Sequence, residues 1–176
     1  MTPEVALRPW AGHDLSLMEG LLGDPRMTEH LGGPESPEQL RGRLDRYLPT
    51  GGSDGQMFVI VVGDGRDSAG SIGYWEHEWQ GETVWETGWS VLPEFQGQGI
   101  ATRAIGLIVQ LAAAERRHRS LHAFPSIDNG PSNAVCRKAG FMLLGHHPFE
   151  YPTGHLMDCN DWAITLDVAE EATPGR

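Results

Sequence analysis

A short glycine-rich stretch has the residue types and the spacing needed to bind an anion. The stretch 96–102, Gln-Gly-Gln-Gly-Ile-Ala-Thr, follows an apolar run that ends at Val91 and opens a segment of helical periodicity over 101–117. Two glycines two residues apart let a ligand approach the backbone closely, and the first N–H groups of a helix have no partner within it. The positive end of the helix dipole adds to this preference. A strand, a turn and a helix that bind a phosphorylated cofactor are therefore predicted.

Two nucleotide-binding motifs fit this turn poorly. A P-loop needs Gly-Lys-Ser/Thr after its spaced glycines, and the turn contains no lysine. A dinucleotide-binding turn needs a third small residue, where Thr102 stands, and an acidic residue about 20 positions later, where 120–124 reads Ser-Leu-His-Ala-Phe. A nucleotide-binding protein remains an alternative that stabilisation by ATP or NAD would reveal.

The segment 91–101 resembles the acyl-CoA signature of the GNAT N-acetyltransferases. That signature is Gln or Arg, two residues, Gly, one residue, then Gly or Ala. Its fixed places are filled by Gln96, Gly99 and Ala101. A second segment, 129–141, is similar to the Asn-x-x-Ala/Ser…Lys-x-Gly-Phe helix beside the pantetheine arm in that family. The resemblance covers about 5–166 and looks most like the branch that includes ribosomal-protein N-terminal acetyltransferases.

The resemblance implies acetyl-CoA as co-substrate, and no metal is expected. A backbone N–H near Val91, where the strand splays from its neighbour, is implied to stabilise the thioester carbonyl oxygen in the transition state. The residues expected to contact the cofactor are Val91, Gln96, Gly97, Gln98, Gly99, Ile100, Ala101, Thr102, Asn129 and Cys136. The spacing of His146, His147, His155 and Cys159 fits no common zinc pattern.

Glu86 is the candidate general base. Transfer of an acetyl group from a thioester to an amine must deprotonate an alkyl ammonium, which costs about 4.6 kcal/mol at pH 7, whereas a thiolate leaving group costs only about 2 kcal/mol. Glu86 lies in Glu-Thr-Gly-Trp, similar to the Glu-x-Gly-Tyr of relatives whose strand glutamate is the base, often through water. Glu76, Glu78 and Glu82 flank the same region and could hold the role, and a structural carboxylate is the alternative interpretation.

Two residues, Cys136 and Ser132, are candidate proton donors to the thiolate leaving group. Many GNAT relatives have a tyrosine acid where this sequence has Cys136, and a cysteine on a buried helix is more often a small core residue than a donor. Ser132 is the candidate catalytic hydroxyl near the CoA sulfur, or else a first-turn residue of the helix that begins at Asn129. The missing tyrosine supports a rival interpretation, a non-catalytic acyl-CoA-binding sensor or regulatory module.

The amino-acid composition limits the classes of partner that the protein is expected to bind. The chain has 176 residues, with 13 Lys and Arg against 24 Asp and Glu, a formal net charge of −11. This acidity disfavours nucleic acid or an anionic membrane and favours a cationic amine, from a small molecule or a peptide. Two cysteines, no apolar leader and no run of about 18 apolar residues lead us to expect a cytoplasmic protein with reduced thiols. We expect one acyltransferase domain over 1–168 and a frayed tail over 169–176, and a homodimer is left open.

The expected fold class is α/β (α+β), a GNAT-like single sheet. It is mixed, mostly antiparallel and twisted, with about seven strands and helices on both faces. Strands are predicted near 5–10, 57–62, 71–76, 84–91, 121–124, 141–144 and 162–166. The strands at 84–91 and 121–124 should be parallel because a helix crosses between them.

The remaining elements are helices and loops. Helices are predicted over 14–22, from Pro37 after a Ser36 cap with Gln39 as its capping-box partner, over 101–117, and from Asn129 to a C′ glycine at Gly140. Loops are predicted at 51–55 and 77–82. Trp75, Trp79, Trp85 and Trp89 are expected to cluster around the central strands, as core packing and a hydrophobic sheet face rather than an ammonium cage.

Overall fold

A seven-stranded sheet organises the chain. Residues 3–49, 55–65 and 67–167 are described in a computed structural model. The strands are β1 (Val5–Pro9), β2 (Gly55–Val62), β3 (Asp67–Trp79), β4 (Glu82–Val91), β5 (Ser120–Ala123), β6 (Met142–Glu150) and β7 (Leu156–Thr165). Their order is β1-β2-β3-β4-β5-β7-β6, and every neighbouring pair is antiparallel except β4 and β5. The predicted mixed, mostly antiparallel sheet and its parallel pair are confirmed.

Four α-helices lie between the strands in the described part of the chain. They are α1 (Leu15–Leu22), α2 (Pro37–Tyr47), α3 (Ile100–Glu115) and α4 (Gly130–Lys138), and short 3-10 turns cover Gly12–Asp14 and Pro93–Phe95. α2 begins as predicted, because the Ser36 hydroxyl accepts the Gln39 N–H at 3.3 Å and the Gln39 side chain accepts the Ser36 N–H at 2.8 Å. After α4, Gly140 has a φ of 88°, the left-handed conformation expected of a C′ glycine.

The helices cover the two faces of the sheet unequally. α3 and α4 pack on one face, where the largest core cluster includes Ile72, Trp85 and Ile105. α1 and α2 pack on the other face, against Val59 and Val61 of β2. Alternation along the strands places Glu86 on this second face, in its part formed by β4, β5, β7 and β6. We call this part the open face, because neither of the two core clusters places a helix against it within the described chain.

Two predictions about the strands were wrong. The segment 77–82 is not a loop, because β3 runs to Trp79 and Gln80-Gly81 form a two-residue turn to β4. Their φ angles of 53° and 85° are those of a tight hairpin turn, which Asn-Gly or Asp-Gly usually signals. β6 and β7 are also longer than predicted and form a hairpin. The predicted tail, and the loop at 51–55 except for Gly55, lie outside the described residues.

The four tryptophans do not form one cluster. Trp75 pairs with Glu86 in the β3–β4 register and therefore lies on the open face with Trp79. Trp85 and Trp89 lie on the face covered by α3 and α4, which we call the helix-covered face. There Trp85 meets the ring of Tyr74 edge-on at 5.0 Å. The prediction of core packing is confirmed for Trp85 and Trp89, and that of a hydrophobic sheet face is confirmed for Trp79, whose ring contacts those of Phe124 and Phe149.

The described part of the chain has neither a helix long and apolar enough to cross a membrane nor a group of three or more His, Cys, Asp and Glu side chains placed to hold a metal.

Candidate active site

β4 and β5 pair over a short distance and then separate. Their register contains only Trp85 with Leu121 and Glu86 with His122, although β4 continues to Val91 beside β3. The N–H of Leu92 donates to the Ala69 carbonyl oxygen at 2.9 Å. Because successive N–H groups of a strand point in opposite directions, the N–H of Val91 faces away from β3. The splay implied by the resemblance is present, and the Val91 N–H faces the gap.

The glycine turn follows the end of β4. Gly97 and Gly99 have φ angles of 73° and 75°, and a Cβ at either position would have no atom within 4 Å. The backbone conformation by itself therefore requires glycine here. The Gln96 side chain donates to the Val91 carbonyl oxygen at 2.8 Å, and Gln98 donates to that of Glu94 at 3.0 Å. Both glutamines brace the turn, so the groups that it leaves available to an anion are those of the backbone.

The start of α3 offers such backbone groups. The N–H of Arg103 makes a bond of 3.2 Å to the Gly99 carbonyl oxygen. The N–H groups of Ile100, Ala101 and Thr102 precede it and have no partner within the helix. α3 has no side-chain cap and no acidic residue in its first turn. The sequence-predicted cofactor residues 96–102 thus form an uncapped helix N-terminus beside the gap.

The N-terminus of α4 lies on the other side of the gap, because α3 and α4 follow the same ends of two parallel strands. The Asn129 side-chain oxygen caps α4 by accepting the Ser132 N–H at 3.1 Å. The Ser132 hydroxyl makes no hydrogen bond with the described chain and is half-buried. Ser132 is therefore both a first-turn residue and a free hydroxyl near the gap.

Asn133 organises the segment before α4, and its role was missed from the sequence. Its amide nitrogen donates to the carbonyl oxygens of Ser126 and Asn129 at 2.9 and 2.8 Å. Its oxygen accepts from Asn160 and from the indole of Trp162, both at 2.8 Å. Buried and fully bonded, Asn133 fixes the loop between β5 and α4 to β7.

Cys136 lies in the core. Its side chain is completely buried in the cluster under α4, and burial raises its pKa to about 12. A thiol with so high a pKa is a poor proton donor. The position of Cys136 therefore favours its interpretation as a core packing residue. Contact between Cys136 and the cofactor stays a prediction.

Glu86 occupies the last paired position before the gap. Its Oε2 accepts the Trp75 indole N–H at 3.0 Å, and the Nδ1 of His77 lies 3.4 Å away. The side chain is 13% exposed, and this burial raises its pKa to about 7, although the Trp75 hydrogen bond works in the opposite direction. Gly88 makes the contact possible, because a Cβ there would lie 3.0 Å from the Trp75 ring.

The other candidate carboxylates are placed differently. Glu76 lies on the helix-covered face, where Arg117 and His118 contact it, with His118 at 2.8 Å. Glu78 accepts a hydrogen bond from Thr83, and Glu82 is exposed at the start of β4. Glu86 alone among the four combines burial with a position at the gap.

Aromatic rings surround Glu86 on the open face. The rings of His77 and Phe124 are 5.6 Å apart, those of Phe124 and Phe149 4.9 Å apart, and those of Trp79 and Phe124 4.7 Å apart. Phe149 belongs to β6, at the far edge of the sheet, so the β6–β7 hairpin folds over the open face toward β3. The pKa of His77 is lowered, chiefly by burial and then by the charge of His122, which favours its neutral form.

A glycine turn at an uncapped helix N-terminus, a gap between two parallel strands and a buried carboxylate whose pKa is raised to about 7 lie beside one another in this structure. The acetyltransferase (GNAT) domain family matches residues 4–142. The chain belongs to this family and is an acetyltransferase, as the two sequence motifs predicted.

Solved structures share the fold over nearly their whole length. A GNAT-family acetyltransferase from Bacillus anthracis has 20% identity and a TM-score of 0.77, covering 94% of this chain and 96% of that one. The Salmonella typhimurium enzyme that modifies the N-terminal serine of ribosomal protein L7/L12 has 22% identity and a TM-score of 0.76, covering 93% and 95%. Spermidine N-acetyltransferase from Vibrio cholerae, in complex with CoA and spermine, has 18% identity and a TM-score of 0.74, covering 92% and 95%. No curated protein matches the sequence.

Proposed function

We propose that this chain transfers an acetyl group from acetyl-CoA directly to a cationic primary amine. The observation that carries the proposal is the position of Glu86, a buried carboxylate with a pKa of about 7 at the point where β4 and β5 separate. A proton acceptor is most effective when its pKa lies near the working pH. The same strand ends in the Val91 N–H at the gap, so one element carries both the base and a donor for the thioester oxygen.

The turn and the two helix N-termini would hold the cofactor. The N–H groups of Ile100, Ala101 and Thr102 are suited to the pyrophosphate, since they are unpartnered and lie at the positive pole of α3. The pantetheine arm would then run along the gap, past Asn129 and Ser132. This path brings the thioester carbonyl toward the Val91 N–H, which would stabilise the negative charge that develops on its oxygen.

Glu86 would accept the proton of the amine. An alkyl ammonium costs about 4.6 kcal/mol to deprotonate at pH 7, and a base with a pKa near neutrality gives this proton an acceptor beside the reacting nitrogen. Release of the thiolate costs less free energy than deprotonation of the amine, so an enzyme without the tyrosine acid can still be active. Direct transfer is favoured over an acyl-cysteine intermediate because the Cys136 thiol is completely buried.

The acceptor is expected to be cationic. The chain carries a net charge of −11, which attracts amines and polyamines over long distances. The similar structures include enzymes named for spermidine and for the N-terminal serine of a ribosomal protein. Both a small polyamine and a peptide N-terminus therefore belong in the first panel of acceptors. A homodimer and a cytoplasmic location remain predictions from the sequence.

The test is acetyl-CoA-dependent thiol release with a panel of amines, comprising a polyamine, an aminoglycoside, an amino acid and a peptide with a free N-terminal serine. The proposal predicts release that depends on one class of amine and is reduced in Glu86→Gln. Tight binding of acetyl-CoA without release for any amine would favour the non-catalytic sensor instead. Thermal stabilisation by ATP or NAD but not by acetyl-CoA would favour a nucleotide-binding protein.

A further inference from the structure

The open face contains a groove of about 520 Å³ at the end of the sheet opposite the cofactor gap. Its walls come from the beginnings of β4, β5 and β6 and from the end of β7. They include the apolar side chains of Val84, Met142, Leu144 and Ala163. Met142 and Leu144 are 70% and 58% exposed, so the groove has an apolar side that a small organic group could cover.

Three polar side chains form a hydrogen-bonded line that ends in this groove. The Oγ of Ser120 lies 3.1 Å from Nε2 of His122, and Nδ1 of His122 lies 2.7 Å from Oδ1 of Asp161. The second oxygen of Asp161 accepts the Trp79 indole N–H at 3.0 Å, which fixes the carboxylate. Ser120 and His122 both line the groove, while Asp161 lies behind them.

The partners of His122 determine its tautomer. A carboxylate only accepts hydrogen bonds, so the proton of neutral His122 lies on Nδ1 and points to Asp161. Nε2 is then left as an acceptor, and the hydroxyl of Ser120 donates to it. This is the arrangement in which a histidine can remove a proton from a serine and an acid stabilises the imidazolium that forms.

The strands hold the three groups rigidly. Ser120 and His122 are two residues apart on β5 and share a face, and β7 brings Asp161 beside them. His122 and Asp161 are both buried, and burial of an ionisable pair is costly unless its hydrogen bonds are satisfied. The acetyl-transfer mechanism uses neither His122 nor Asp161.

We propose that Ser120, His122 and Asp161 form a second catalytic centre that hydrolyses carboxylic esters with a small apolar acyl group. The Oγ of Ser120 attacks the ester carbonyl carbon while its proton passes to Nε2 of His122. The C–O bond to the alcohol then breaks, and the alcohol leaves with that proton. Water attacks the acyl-serine with His122 as base, which releases the carboxylic acid and restores the serine.

Two groove side chains can donate to the oxyanion. Thr165 is paired with Ser120 in the β5–β7 register, and its side chain lines the groove. Directly opposed residues have Cβ atoms about 5 Å apart, which puts the Thr165 hydroxyl within reach of a carbonyl bound at Ser120. Gln80, at the β3–β4 turn, also lines the groove and has a side-chain amide. Side-chain hydroxyls and amides serve in this role as backbone N–H groups do.

The test uses p-nitrophenyl acetate and p-nitrophenyl butyrate with the full chain and no acetyl-CoA. Wild type should release p-nitrophenol well above the rate without protein, and Ser120→Ala should lose at least about 100-fold of that excess. Thr165→Val, which keeps the shape but removes a donor, should lose about tenfold or more. Glu86→Gln should retain the hydrolysis, which separates this centre from the proposed acetyl transfer.

A second measurement does not depend on turnover. A fluorophosphonate probe should attach to Ser120, located by peptide mass spectrometry, and His122→Gln should abolish the labelling at a temperature at which this variant is still folded. Wild-type hydrolysis equal to that of Ser120→Ala, or a label on another residue only, would overturn the proposal and leave the three side chains a structural role.

Discussion

The indole N–H of Trp75 donates a hydrogen bond of 3.0 Å to the carboxylate of Glu86 across the β3–β4 pair. This bond stabilises the ionised carboxylate and lowers its pKa, whereas burial of the same group raises it. Burial is the larger effect, and the pKa settles at about 7. Trp75 therefore tunes the pH at which Glu86 can accept a proton.

Trp75→Phe should make Glu86 a base that works only at higher pH. The change keeps an aromatic ring against Gly88 but removes the hydrogen bond that favours the ionised form. A hydrogen bond to a charged group contributes about 1.5–3 kcal/mol, so the rising limb of kcat/KM should move up by about one to two pH units. Trp89→Phe, on the helix-covered face, is the matched control and should leave the limb in place. A limb unmoved by Trp75→Phe would mean that another group controls it.

Glu86 should also make the folded chain less stable as pH rises. Its pKa rises from 4.5 to about 7 on folding, so the stability it contributes is fully present below about pH 4.5 and is lost as pH rises through about 7. Glu86→Gln cannot ionise, so its free energy of unfolding relative to wild type should increase between pH 5 and about pH 8. Urea unfolding of both proteins across this range measures the difference. A difference independent of pH would show that Glu86 is not buried in this way.

A negative charge in the first turn of α3 should repel the cofactor. Gly97 and Gly99 are poor positions for this test, because any side chain at their positive φ angles strains the turn itself. Thr102→Glu is compatible with the helix, and an acid in the first turn should raise the melting temperature slightly. We expect at least tenfold weaker acetyl-CoA binding in calorimetry, with Thr102→Gln as the neutral control. Equal affinities for the two variants would disprove the assignment of the pyrophosphate to this turn.

Removal of either candidate proton donor should leave a measurable enzyme. Protonation of the thiolate is worth only about 2 kcal/mol, so Ser132→Ala should lose at most roughly 30-fold in kcat. Cys136→Ala should show mainly a lower melting temperature, because it leaves a small cavity in the core. Single-turnover rates and melting temperatures measured together separate the two effects. A 10³-fold loss of rate in Cys136→Ala, at unchanged stability, would mean that the thiol does serve as the acid.

Local signals in the sequence were sufficient for some features. The Ser36–Gln39 capping box, the C′ glycine at Gly140 and the glycine turn each depend on a few neighbouring residues, so their chemistry can be recognised without tertiary context. The parallel pairing of β4 and β5 followed from the helix between them. These features were enough to predict the class of fold and the glycine turn at the proposed cofactor site.

The surroundings of Glu86 could not be predicted, because they depend on tertiary structure. His77, Phe124 and Phe149 belong to different parts of the chain and meet only because the β6–β7 hairpin folds over the open face. The sequence predicts a loop at His77, since the Gln80-Gly81 turn lacks the usual Asn-Gly or Asp-Gly signal. The raised pKa of Glu86 likewise depends on burial, which a sequence does not display.

The single-turnover rate of Glu86→Gln, with an amine that supports thiol release, tests the account most directly. The amide keeps the shape of the side chain but cannot take the proton, so the rate at pH 7 should fall by about 10²–10⁴-fold while the acetyl-CoA dissociation constant stays unchanged. The deficit should shrink at high pH, where solvent supplies the free amine. A rate within about threefold of wild type at pH 7, with chemistry limiting, would contradict the role of Glu86 as the base.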